Sequence, residues 1–229
     1  MKKIRAGVIG TGRMGEYHTA VYSELFLIDL VGIVDIKEER GKAISKQFNV
    51  AYFNDFHKIL DKVDAVSIAV PTGLHYSIAK EFLNAGVNVL LEKPITDNFN
   101  QAVELFELAK KNNCTLHIGH VERFNGAVQE LKKIVHEPLL IESRRLGPFQ
   151  TRIEDDGVVM DLMIHDIDII LNLVESEILD INVMGRSYFT GNDDLASVQI
   201  LFKNNCIANI IASRVTQDKI RTMAISQKD

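Results

Sequence analysis

Short runs dense in aliphatic and β-branched residues recur up to about residue 121: IRAGVI, LVGIVD, AVSIAV, NVLLE and TLHIGHV. Between them lie EERGKAISKQF, HYSIAKEFLNAG and NFNQAVELFELAKKNN, whose apolar positions repeat at helical spacing. Strands that are apolar throughout, rather than alternating, are buried on both faces, and strands linked by helices run parallel. The pattern predicts a doubly wound α/β domain over residues 1–121.

The pattern changes after Val121. A helix-like segment, NGAVQELKKIV, leads to LLIESRRLG, a loop rich in charge, and then to the long apolar stretch DGVVMDLMIHDIDIILNLV. The segments DINVMGRSYF, LASVQILFKN and CIANIIASRV carry β patterning, with KIRTMAI as a candidate fourth strand. Short turns such as KNN between consecutive strands predict an antiparallel arrangement. Residues 122–229 are therefore expected to form a second, α+β domain with a mostly antiparallel open sheet, the boundary falling near Val121 to Asn125.

Charge changes this picture only by exclusion. The formal net charge of −5 gives no basic surplus for nucleic acid or an anionic membrane. No stretch approaches the roughly 20 uninterrupted apolar residues of a membrane span. The cysteines, Cys114 and Cys206, stand far apart and form no CxxC pattern, so neither a disulfide framework nor a cysteine metal site is implied. The cytoplasm is the expected location.

Candidate chemistry begins in GVIGTGRMG, where Gly10, Gly12 and Gly15 have GxGxxG spacing directly after the first strand, with Thr11, Arg13 and Met14 between them. Such glycines allow a tight turn, close approach of a pyrophosphate and helix-to-strand packing, with a helix N-terminus facing the anion. Glycines also simply mark turns. The next strand ends in Asp35, whose carboxylate could accept from ribose hydroxyls and repel a 2′-phosphate, favouring NAD over NADP; an Asp there could equally cap the following helix. Ligands on doubly wound sheets sit beyond the carboxyl ends of the strands. Val70, Pro71, Thr72 and His75 follow one such end, although His75 also reads as an ordinary helix residue, and Glu92, Lys93 and Pro94 follow the next.

In MDLMIHDIDIILNL, Asp161, His165, Asp168 and Asn172 recur at intervals of four, three and four, forming one polar stripe on an otherwise apolar helix. Asp161 and His165 have the spacing of an i,i+4 metal pair. No third ligand is evident and a metal site is not expected. Asp166 and Asp168 read as structural.

Together, GVIGTGRMG, VPTGLHYSIAKEFLNAGVNVLLEKPITDN and GVVMDLMIHDIDIILNLV resemble the Gfo/Idh/MocA oxidoreductase family over essentially the whole chain. The resemblance implies an N-terminal Rossmann domain binding NAD and a C-terminal domain whose open sheet face forms homo-oligomeric contacts. It further implies Lys93 at the nicotinamide and substrate hydroxyl with a cis peptide before Pro94, Glu92 beside the cofactor, His165 as general acid/base and Asp161 as a substrate or orienting residue. GHVERFNGAVQELKK, IESRRLGPFQTRIEDDGVVMDLMIHDIDI and ASRVTQDKIRTMAI are similar to the branch of UDP-N-acetylglucosamine 3-dehydrogenases. On that likeness, Arg123, Asn125 and Arg145 join the substrate set, and Arg123, Arg144, Arg145 and Arg214 become candidate diphosphate or surface ion-pair residues. The substrate is then a sugar or nucleotide sugar. Inositol or free-sugar dehydrogenases, glycosidases that retain NAD, and a non-catalytic NAD-binding regulator remain alternatives. Relatives continue beyond KIRTMAISQKD, so a shortened C-terminal domain is also an expectation.

Overall fold

In a computed structural model of the chain, which describes residues 2–149 and 156–228, two compact units divide at Gly119/His120. The first unit holds β1 (Ile4–Ile9), α1 (Arg13–Glu24), β2 (Ile28–Val34), α2 (Glu38–Phe48), β3 (Tyr52–Phe53), β4 (Ala65–Ile68), α3 (His75–Asn84), β5 (Asn88–Leu91), α4 (Phe99–Lys111) and β6 (Leu116–Ile118). Its strands lie in the order β3-β2-β1-β4-β5-β6, every pairing parallel. This is the doubly wound order of dinucleotide-binding folds, in which the chain reverses direction across the sheet at β1/β4.

Burial explains the continuous apolar runs. Ile9, Val66, Ile68, Val89 and Leu91 pack with Phe82 and Leu83 of α3 and Leu105 of α4, while Val8 and Ile33 pack with Ile44 of α2. Both sheet faces are thus covered, and alternating strand residues find apolar partners on either side. The β3 strand was not anticipated, because only Tyr52 and Phe53 pair, at the sheet edge.

The second unit contains α5 (Gly126–Ile134), β7 (Leu140–Leu146), a π-helical turn (Val159–Met163) continuing into α6 (Ile164–Leu173), β8 (Ile178–Arg186), β9 (Leu195–Phe202), β10 (Ile207–Ser213) and β11 (Ile220–Ser226). The sheet order is β11-β7-β10-β9-β8; β7 and β10 run parallel and the other pairings are antiparallel. Val128, Met163, Ile169, Ile170 and Leu173 cover one face, against Ile141, Val198, Ile200, Phe202 and Ile210.

Two expectations change here. LLIESRRLG is not a charge-rich loop: Leu140–Leu146 is a strand inside the sheet. Its period-2 signal is disguised because two of the three residues it buries, Ser143 and Arg145, are polar. The helix carrying the polar stripe is also not α-helical throughout, since Asp161 lies in the π turn and His165 in the first turn of α6. Of the IESRRLGPFQTRIEDD segment, residues 150–155 lie outside the described part.

The approach to that helix is fixed by Asp194, which is fully buried. Its Oδ2 accepts N–H bonds from Tyr188, Phe189 and Thr190 at 2.8, 2.6 and 3.0 Å, and Oδ1 accepts from the Thr190 hydroxyl. The neighbouring Asp193 accepts from the N–H of Val159, and Arg214 donates to the Asp156 carbonyl. Burial pushes the Asp194 carboxyl up, but the three backbone donors and the Thr190 hydroxyl outweigh it and hold it far below the usual range. A depressed folded value means that the stabilisation is complete above the unfolded carboxyl value of about 4 and is lost as pH falls toward the folded one. Asp194→Asn is therefore expected to lose about 2 kcal/mol at neutral pH and to show a shallower fall of stability on acidification, both read from urea unfolding at a series of pH values. An unchanged acid limb would rule out this role.

Candidate active site

In the first unit the three glycines each answer a different geometric demand. Gly10 has φ +86°, and a Cβ there would sit 2.6 Å from the Ala69 carbonyl oxygen. At Gly15 a Cβ would lie 1.8 Å from the Gly10 carbonyl oxygen, so α1 packs onto the loop only through glycine. A Cβ on Gly12 would meet nothing within 4 Å, which leaves open space at the start of α1. Gly12 caps α1 without a side-chain hydrogen bond, so the first N–H groups of the helix face that space. The loop fits a pyrophosphate.

Asp35 follows β2 and is 3% exposed. It accepts from the Thr11 N–H and hydroxyl at 2.8 and 2.6 Å, from the Lys37 N–H at 2.8 Å, and from the Arg40 guanidinium. Burial raises its carboxyl, but the Thr11 hydroxyl, the two backbone donors and Arg40 prevail and hold it below the usual range. The carboxylate therefore stands ionised beside the glycine loop through Thr11.

His75, expected near the cofactor, is bonded to the backbone through both ring nitrogens. Its Nδ1 lies 2.8 Å from the Pro94 carbonyl oxygen and its Nε2 2.9 Å from that of Val70, with 1% of the residue exposed. It ties the turn after β4, Val70 to Thr72, to the turn after β5.

Glu92, Lys93 and Pro94 form that second turn. Glu92 is buried, its Oε1 3.2 Å from His18 Nε2 and its Oε2 accepting from the Lys93 N–H at 3.3 Å. His18 Nδ1 is in turn hydrogen-bonded to the Ser67 hydroxyl. A Cβ at Gly119 would lie 2.7 Å from Glu92 Oε1, so glycine there leaves room for the carboxylate. Lys93, next in the chain, is half-buried. The Lys93–Pro94 peptide is cis. His18, Ser67 and Gly119 were not anticipated: a lone histidine on α1 and a serine within a strand carry no signal until the fold brings them together.

In the second unit, Asp161 and His165 are half-buried, whereas the other acids of the stripe and its neighbour are committed to arginines. Asp168 receives Arg123 through Nε and Nη2 at 2.8 and 2.5 Å, and Asn172 donates to the Asp168 carbonyl. Asp166 receives Arg145 at 2.7 and 3.0 Å, and Arg145 also reaches Glu122 at 3.3 Å. Burial raises the Glu122 carboxyl, but Asn125, Arg145 and His165 reverse this and lower it. Arg145 and Arg214 are buried rather than surface residues, and Arg123, Arg145 and Arg214 lie against the protein's own carboxylates, whereas Arg144 is exposed. Asn125 caps α5 by accepting from the Ala127 N–H. Asn125 and Arg145 line one cavity of about 420 Å³ with Val128, Leu131, Asp166 and Met223; Asp161 and His165 do not line it. A larger concavity, about 720 Å³, bordered by Val135, Leu139 and Leu173, contains none of the predicted site residues.

A Rossmann sheet with a fitted glycine loop and an acidic β2 terminus defines an NAD-binding oxidoreductase domain. Residues 4–120 match the family described as "Oxidoreductase family, NAD-binding Rossmann fold", and residues 125–226 match the "GFO/IDH/MocA C-terminal domain". The chain belongs to the Gfo/Idh/MocA oxidoreductase family. All of it aligns, at 36% identity, with 73% of the UDP-N-acetylglucosamine 3-dehydrogenase of Acidithiobacillus ferrooxidans. A solved structure of that enzyme has a TM-score of 0.95, covering 100% of this chain and 75% of its own. The myo-inositol 2-dehydrogenase of Thermotoga maritima is 26% identical over 92% of this chain and 69% of its own length. Among the described residues, no helix is long and apolar enough to cross a membrane.

The Glu92 pairing is directly testable. Leaving a buried carboxyl group without the polar ring beside it exposes the cost of its desolvation, so His18→Leu should destabilise the protein by about 2 kcal/mol, measured by chemical denaturation. His18→Gln, which keeps a polar group toward Glu92, should cost less; equal losses would show that the ring's packing, not the pairing, matters.

Proposed function

We propose that the protein is an NAD-dependent dehydrogenase that oxidises a secondary hydroxyl of a nucleotide sugar, the 3-hydroxyl of UDP-N-acetylglucosamine. The observation that carries this reading is 36% identity along the entire chain to an enzyme of that name, in a protein with a fitted glycine loop after β1 and Lys93 just past the end of β5 in the same parallel sheet.

The Gly10–Gly15 loop and the N-terminus of α1 hold the pyrophosphate, Asp35 meets the adenosine ribose, and Val70, Pro71 and Thr72 border the dinucleotide. Bound NAD supplies the acceptor for the hydride that leaves the carbinol carbon. Lys93 takes the hydroxyl proton as the carbonyl forms. His165 acts as the acid/base partner, and Asp161 orients the sugar. Asn125 contributes a polar contact, while Arg123 and Arg145 support that surface by fixing Asp168 and Asp166. Asp35 favours NAD, since an ionised carboxylate opposes a 2′-phosphate. The cytoplasm and a homo-oligomer formed through the open face of the second sheet complete the reading.

The test is formation of NADH, followed spectrophotometrically, from NAD and UDP-N-acetylglucosamine beside a panel of free sugars and inositols. Turnover with the nucleotide sugar, falling about a hundredfold or more in Lys93→Ala, is the expected result. Turnover with inositols alone would replace the substrate assignment, and NAD binding without turnover on any member of the panel would count for a regulatory protein.

A further inference from the structure

A sheet edge offers unpaired N–H and C=O groups to any strand that can lie along it, and folded proteins shorten such edges or place charge on them. Three of the four edge strands here are guarded in this way. β3 and β6 are two and three residues long, and β11 carries Arg221 and is flanked by Lys219 and Lys228. β8 differs. It runs for nine residues along the edge of the second sheet, and all nine are exposed. Neither proline nor lysine interrupts Ile178–Arg186, whose charged residues are Asp180 and Arg186. The covered face of the sheet also stops short of it: Val198 and Ile200 of β9 belong to the core, whereas their partners across the ladder, Val183 and Ile181, are 61% and 49% exposed.

The strand is complementary to itself. Two antiparallel copies related by a two-fold axis normal to the sheet keep every side chain on its own face, so the residues that stand opposite each other differ by an even number of positions. With the axis at Val183, Asp180 of each copy faces Arg186 of the other, Ile181 faces Gly185, Asn182 faces Met184 and Val183 faces its own counterpart. Opposite charges directly across a ladder stabilise it. Both charges are available for this: among the described residues neither has an ion-pair partner, Asp180 accepting from Asn182 at 3.4 Å and Arg186 donating to the Gly185 carbonyl. With the axis at Asn182 instead, Asp180 would face Met184 and Arg186 would face Ile178, leaving each charge against an apolar side chain. We propose that β8 is an interaction surface for a second copy of this chain, the two strands pairing antiparallel about Val183 and joining the two five-stranded sheets into one. Ile181 and Val183 are the apolar groups this pairing shields. The contact runs through the edge of the second sheet rather than its open face, and it is independent of the nucleotide and sugar assignments.

The test is sedimentation velocity of the purified chain over about 1 to 100 μM, with charge reversals at two exposed positions that the folded unit tolerates. The wild-type chain should dimerise in this range. Asp180→Arg and Arg186→Asp should each weaken the dimer about tenfold or more by setting like charges opposite each other, and the double reversal should bring it back to within about threefold of wild type. Under mild oxidation Val183→Cys should give a disulfide-linked dimer far faster than Asn182→Cys, which faces Met184, and far faster than the wild-type chain with its free Cys114 and Cys206. A chain that stays monomeric, or a dimer indifferent to the single reversals, would overturn the proposal, the second result placing association at another surface. Weakening by the single reversals with no recovery in the double variant would overturn it as well, since the charges would then not face each other.

Discussion

A carboxyl group only 6% exposed at the end of a parallel strand needs polar neighbours to offset its burial. In this protein Glu92 is met from several directions: by His18 of α1, which is itself held by Ser67 of β4, by the N–H of Lys93, and by the space that Gly119 leaves after β6. The helix that starts at the glycine loop and the strand that ends at Lys93 are therefore tied through one polar group. His75 adds a second tie, holding the turns after β4 and β5 by their carbonyl oxygens. Phosphate loop and lysine are thus fixed to the same piece of sheet.

The second unit uses buried ion pairs for a comparable purpose. Arg145 with Asp166 and Arg123 with Asp168 bind β7 and the turn before α5 to α6, and the carboxylate of Asp194 gathers the turn after β8. Pairs of this kind return little net stability over apolar replacements of the same shape. Their contribution is directional: a guanidinium fork accepts a carboxylate in few orientations, which sets the rotation of α6 and hence the side from which His165 projects. The π turn that carries Asp161 belongs to the same arrangement, since π turns insert a residue where a side chain must be re-aimed.

Much of this was legible in the sequence, for reasons that also mark where legibility stops. Strands buried on both faces write themselves as uninterrupted apolar runs, and the glycine loop is constrained at the backbone, so β1, β2, β4, β5 and the turn at Gly10–Gly15 were readable directly. The strand β7 was not, because its inward positions Ser143 and Arg145 are polar and their partners, Thr222 for the serine and Asp166 for the arginine, lie more than twenty residues away along the chain. Asp166 and Asp168 could be read as structural from an apolar helix that has to satisfy its charges, but their arginines could not be named. His18 and Ser67 have the same limitation: each is ordinary in its local window and acquires a role only when the fold brings them together beside Glu92.

Position along the strand decides which polar residues take on chemistry. At Glu92 and Lys93 the chain leaves the sheet, and Glu92 is buried while Lys93 is half-buried. The buried group needs compensation, and the N–H that helps supply it belongs to Lys93, so the backbone carrying Lys93 is held by the same contact. At the end of β2, Thr11 and Lys37 hold Asp35 through their N–H groups, and Arg40 pairs with it from α2. A parallel sheet places several such strand ends along one edge, and a protein built on it can keep each rigid on the side facing the core while leaving the other side to the ligand.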